Sequence, residues 1–161
     1  MRVVFFLVVA LAAVFVWRSS GAMPAVVASH FIAGGNANGF MPRWQYVAFM
    51  ITLVVAVPST VFLAGAFAPR LPARFINLPN KQCWLAPERQ AATLASVGKL
   101  LVWSAYVTLG LLCLVHWFVV QANLVHPPHL EQAPLVGATA LFFAALFVGM
   151  IVVLRRFFRV P

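Results

Sequence analysis

Four long apolar runs alternate along the chain with three stretches in which Pro and polar residues collect. Val3 to Trp17 is unbroken after Arg2, long enough for about 22 Å of helix. Arg18 can snorkel to the headgroups while Ser19 to Ala22 continue the helix, so a first span over about 3–22 is expected. The second span, about 44–68, opens on the interfacial aromatics Trp44 and Tyr46. Pro58 near its middle removes a helix hydrogen bond and predicts a kink, with Ser59 and Thr60 at hand to bond freed carbonyls. The third span, about 99–121, carries Trp103 and Tyr106 towards one end and His116 and Trp117 towards the other. The fourth, about 134–158, places small residues four apart, Ala140 with Ala144 and Ala145 with Gly149, where another helix can approach closely.

The stretches between the runs are too polar to span. Residues 23–43 read as a loop at a membrane face, and Gly34-Gly35-Asn36-Ala37-Asn38-Gly39 within it as consecutive turns. Residues 69–98 form a central loop with Arg70, Arg74, Lys81, Arg89 and the acid Glu88. Pro87 suits a first helical position and Glu88 complements the positive end of the helix dipole, so a helix is expected to start there and run into the third span. His126-Pro127-Pro128-His129, with Glu131 behind it, forbids a regular helix between the last two spans. The expected fold is all-α: one membrane domain, residues 1–161, in which four transmembrane helices pack up and down.

Composition strengthens this picture. The chain has 161 residues, 64% hydrophobic and 8% charged, with too little polar surface for a soluble domain. Its 11 basic residues against 2 acids are scattered beside apolar runs, which points to anionic lipid headgroups as partners and not to nucleic acid. Four spans put Arg2, Arg70, Arg74, Lys81, Arg89, Lys99, Arg155, Arg156 and Arg159 on one side and only Arg18 and Arg43 on the other. The positive-inside rule then makes both termini and the central loop cytoplasmic. The first run also has the basic start, apolar centre and small residues (Ser20, Gly21, Ala22) of a cleavable signal. Cleavage would leave three spans without moving the mature loops, and retention is the preferred reading.

Candidate chemistry is sparse, and an enzyme is not expected. Glu88 and Glu131 fall on opposite faces and cannot act as a carboxylate pair, and Ser29 beside His30 lacks an orienting acid. The histidines His30, His116, His126 and His129 all fall on the outer half. His30, His126, His129 and Glu131 could together hold zinc or copper. The preferred reading makes them hydrogen-bonding loop and interfacial residues, with no cofactor. His116, inside a span, must face a helix partner or water. A disulfide between Cys83 and Cys113 is not expected, because their depths should differ by more than the ~7 Å limit on Cα separation.

Two loop phrases carry a family resemblance. Met23-Pro24-Ala25-Val26-Val27-Ala28-Ser29-His30-Phe31, with Gly35, Asn38, Gly39 and Phe40 behind it, resembles the outer motif of a bacterial membrane family without assigned function. That domain also forms the front part of SdpI-type immunity and signalling proteins. Leu78-Pro79-Asn80-Lys81 with Trp84-Leu85-Ala86-Pro87-Glu88-Arg89 is similar to a second phrase in its four-span members. The resemblance covers roughly residues 20–95. It implies a small helical protein of the bacterial inner membrane and supplies no catalytic residues. SdpI-type proteins have a further multi-span region, and nothing after residue 100 here looks like it, so the resemblance does not by itself imply toxin immunity. The central loop reads equally as a docking surface built on Trp84 and the basic residues or as a connector lying on headgroups. The expected function is non-enzymatic interaction in the membrane, as an accessory subunit or a sensor or immunity component, with a membrane-protein partner or a second copy. The alternative is an outward-facing protein that binds a metal or small ligand.

Overall fold

A computed structural model describes residues 2–158. Arg159, one of the basic residues counted above, lies outside the described residues. The elements follow in the order α1 (Arg2–Ser20), β1 (Val26–Phe31), β2 (Ala37–Pro42), α2 (Arg43–Phe67), α3 (Lys81–Trp84), α4 (Pro87–Asn123) and α5 (Gln132–Phe158), with two single 3-10 turns at Ala68–Arg70 and Ala73–Phe75. Four of the helices are long and apolar enough to cross a membrane, as in a multi-pass membrane protein.

Helices α1, α2 and α4 make the core. Phe5, Val9, Ala12 and Val16 of α1 are buried at spacings of three and four, as are Tyr46, Met50, Val54, Pro58, Phe62 and Gly65 of α2. Phe5 stacks on Phe62 at 4.0 Å between ring centroids and meets Tyr106 of α4 edge-on. Near the far end α2 and α4 touch backbone to backbone. A Cβ added to Gly65 would lie 2.7 Å from the Gly98 carbonyl oxygen, and one on Gly98 would lie 2.5 Å from that of Gly65. Only glycine allows this crossing. The expected repair at Pro58 is not made by its neighbours: the carbonyl freed by the proline is that of Val54, whereas Thr60 donates to the Ala56 carbonyl at 2.9 Å and the buried Ser59 hydroxyl has no partner.

One expectation needs correction. Residues 23–43 are not merely turns. They fold into an antiparallel hairpin in which Val26 pairs with Pro42, Val27 with Met41 and Ala28 with Phe40. Ser29 and then Asn38 are each an extra residue in the ladder, giving two bulges. Within the expected central loop 69–98, α4 starts at Pro87 and runs 37 residues, about 55 Å against a hydrocarbon core of about 30 Å. Its start at Pro87 and its continuation into the third span agree with the sequence reading.

The fifth helix joins the bundle through α4. None of its most apolar window is buried inside the molecule, against 28% for α1, and Phe157 is its one buried residue. It packs along α4, where Gly149 accommodates the Trp103 ring.

Candidate functional site

Polar groups concentrate at three places in this apolar protein. The first lies within the bundle. His116 of α4 is fully buried, with Nε2 2.8 Å from Ser19 Oγ on α1 and Nδ1 3.0 Å from the Tyr46 hydroxyl on α2. Proton placement follows from counting. The Ser19 hydroxyl donates its one proton to the Phe15 carbonyl at 2.6 Å, so it accepts from His116 Nε2–H, and Nδ1 then accepts from Tyr46 O–H. Every member is satisfied inside the protein, and the ring ties three helices together. Phe15 meets the imidazole edge-on and Tyr46 stacks against it.

The second place is the hairpin end. Asn123, buried at the end of α4, accepts from the Ala28 N–H at 2.7 Å and donates to the Ala28 carbonyl at 2.9 Å, pairing with β1 much as a further strand would. The hairpin tip turns at Gly34 and Gly35, with φ of +90° and +82°. Leu130 N–H donates to the Gly35 carbonyl at 2.8 Å, and a Cβ on Gly35 would collide with the Leu130 oxygen. Gln132, the first residue of α5, accepts from Gly34 N–H at 3.1 Å and donates to the Ile32 carbonyl at 2.9 Å. The outer phrase therefore serves the hairpin. The Asn38 side chain, on a bulge, bonds His30 Nδ1, and Gly39 sits so close opposite that its Cβ would meet that of His30. Phe31 is half-buried and Phe40 is exposed.

The third place is the opposite end of the bundle. Asn80 adopts a left-handed conformation (φ 51°) and donates through Nδ2 to the Phe157 carbonyl at 3.0 Å. Trp84 Nε1 donates to the same oxygen at 3.1 Å, its ring meets Phe157 edge-on, and Arg156 lies over its face. Asn80 and Trp84 thus bond a carbonyl that the last turn of α5 leaves open. Thr93 holds the Trp84 carbonyl from α4 at 2.8 Å. The rest of the inner phrase builds the frame. Pro79 precedes the left-handed turn, Lys81 opens α3, Leu85 is buried, Ala86 caps α4, Pro87 is its first residue, Glu88 is exposed in its first turn, and Arg89 donates to Cys83 Sγ at 3.0 Å. Arg2 and Arg70 both lie over the Phe67 ring, which puts the start of α1 at this same end.

The suggested zinc or copper ligands are not gathered into one site. Among the described residues no three His, Cys, Asp or Glu side chains come together to hold a metal ion. His30 is engaged by Asn38, and the His129 ring faces Asn36 at 3.4 Å. His126 is exposed, and Glu131 lines a small cavity of about 210 Å³ beside His129 and Gln121. Both cysteines are free thiols. Sequence reasoning missed Ser19, Tyr46, Asn123 and Gln132 as partners. The signal available was His116 itself, since an intramembrane imidazole implies polar partners on other spans.

No family model, curated protein or solved structure matches this chain.

Proposed function

We propose that this chain is a non-enzymatic interaction protein of the bacterial cytoplasmic membrane, with both termini cytoplasmic, and that it acts as an accessory subunit of a membrane assembly or as a sensor or immunity component. The observation that carries the reading is the state of α5. Both its ends are held by directed hydrogen bonds, from Gln132 at the hairpin tip and from Asn80 and Trp84 at Phe157. Its middle presents Leu141, Phe143, Phe147 and Val148 beside Ala140 and Ala144 on exposed surface. A helix fixed at both ends and packed on α4 along one side offers its other side as a preorganised face to another membrane helix.

The absence of catalysis is part of the proposal. The one Ser–His contact has its hydroxyl proton committed to the Phe15 carbonyl, and its imidazole is sealed from solvent. The resemblance to the bacterial membrane family supports the setting, and the basic residues at the end that carries α3 support the orientation.

The test is gentle extraction of C-terminally tagged protein from its native membrane, with mass spectrometry of what co-purifies. A partner in fixed ratio, lost when Ala140 and Ala144 are both replaced by Leu, is the expected result. Recovery of this chain alone, or a partner indifferent to the two substitutions, would refute the role assigned to α5.

A further inference from the structure

At the hairpin end, a groove of about 520 Å³ opens between the end of α1 and the start of α2. Val47, Ala48 and Ile51 form an apolar wall, Trp17 and Trp44 flank it, and Arg43 stands at its mouth. The two indoles are 67% and 70% exposed, which sets this part of the molecule at the boundary between headgroups and acyl chains. Arg43 is fastened by Nη1 to the Met23 and Gly21 carbonyls. Its other two guanidinium nitrogens have no protein acceptor among the described residues. Neither of the chain's two acids, Glu88 and Glu131, lines the groove. The site thus combines a positioned cation, no internal counter-charge and an apolar channel leading away from it.

The geometry points to a bound anionic glycerophospholipid, its phosphate on the Arg43 guanidinium and one acyl chain along Val47, Ala48 and Ile51. A guanidinium with free in-plane donors suits phosphate oxygens, and the helix surface supplies what a free phosphate ion would leave empty. This site is separate from the exposed face of α5, so its failure leaves the role of α5 untouched.

The test uses vesicles of phosphatidylcholine containing the full chain and a trace of either phosphatidylglycerol or phosphatidylcholine that bears a photoreactive acyl chain, with the labelled peptides mapped by mass spectrometry. Mapping excludes label captured by the basic residues at the other end. One positioned cation predicts about fivefold more label on residues 44–51 from phosphatidylglycerol than from phosphatidylcholine. Arg43→Gln should remove most of the difference between the two probes, the exposed Arg18 at the same end leaving a small remainder, and Ala48→Phe, which fills the groove without touching the Arg43 contacts, should remove most label from both. Equal labelling of the wild-type segment by the two probes would mean ordinary surrounding lipid and overturn the site. So would unchanged labelling of Ala48→Phe.

Discussion

His116 joins α1, α2 and α4 through one ring, and the value of that junction can be measured one hydroxyl at a time. Tyr46→Phe keeps the ring stacking and deletes one interhelical hydrogen bond, so it should cost about 1 kcal/mol. His116→Ala leaves the Tyr46 O–H without its acceptor, takes a donor from Ser19 and opens a cavity among aromatic rings, and about 2–4 kcal/mol is expected. Reversible unfolding in mixed micelles reads both, and equal midpoints for wild type and His116→Ala would refute the junction. Gly35 is the second residue of this kind. Gly35→Ala meets the Leu130 carbonyl as well as an unfavourable φ, whereas Gly34→Ala, with open space around it, meets only the φ. Limited proteolysis of the hairpin should accelerate more for Gly35→Ala than for Gly34→Ala. That His116 needs partners was legible from its place in an apolar run. Their identity was not, because Ser19 and Tyr46 lie 97 and 70 positions away and no local spacing links them.

Among the elements, the crossing of α2 and α4 depends on backbone contact. Gly65→Val must push the helices apart, since the new side chain has the Gly98 carbonyl and Leu101 in its path. A loss of about 2 kcal/mol or more is expected in the same unfolding assay, well above that of Gly110→Val on α4, which faces open space. The clasp on the end of α5 is tested by Asn80→Ala combined with Trp84→Phe, which leaves the Phe157 carbonyl without either donor. Protease should then reach the last turn of α5 faster while the core melts nearly as before; no change in cleavage would show that these bonds do not hold the helix. The four spans and the start of α4 were legible because long apolar runs and a Pro at the first helical position are local signals. The hairpin was less so. Its bulges at Ser29 and Asn38 break the alternation by which strands announce themselves, and the Gly34-Gly35 turn between two six-residue stretches was the cue to it.

For the whole molecule, the contacts of Phe67 with Arg2 and Arg70, and of Phe157 with Asn80 and Trp84, bring the start of α1, the central loop and the end of α5 together at one end of the bundle. In the outer phrase His30 and Asn38 serve the protein's own hairpin, and in the inner phrase Asn80 and Trp84 hold its last helix. That leaves the middle of α5 as the surface most available to a partner, and no sequence pattern separates such a helix from one that faces lipid. The most direct measurement places a photoreactive amino acid at Phe143 of α5 and, as a reference, at Leu11 of α1, both exposed, in native membranes. A discrete protein adduct of one mass from position 143, absent from position 11, is the predicted result. The same diffuse lipid labelling from both positions would contradict the account.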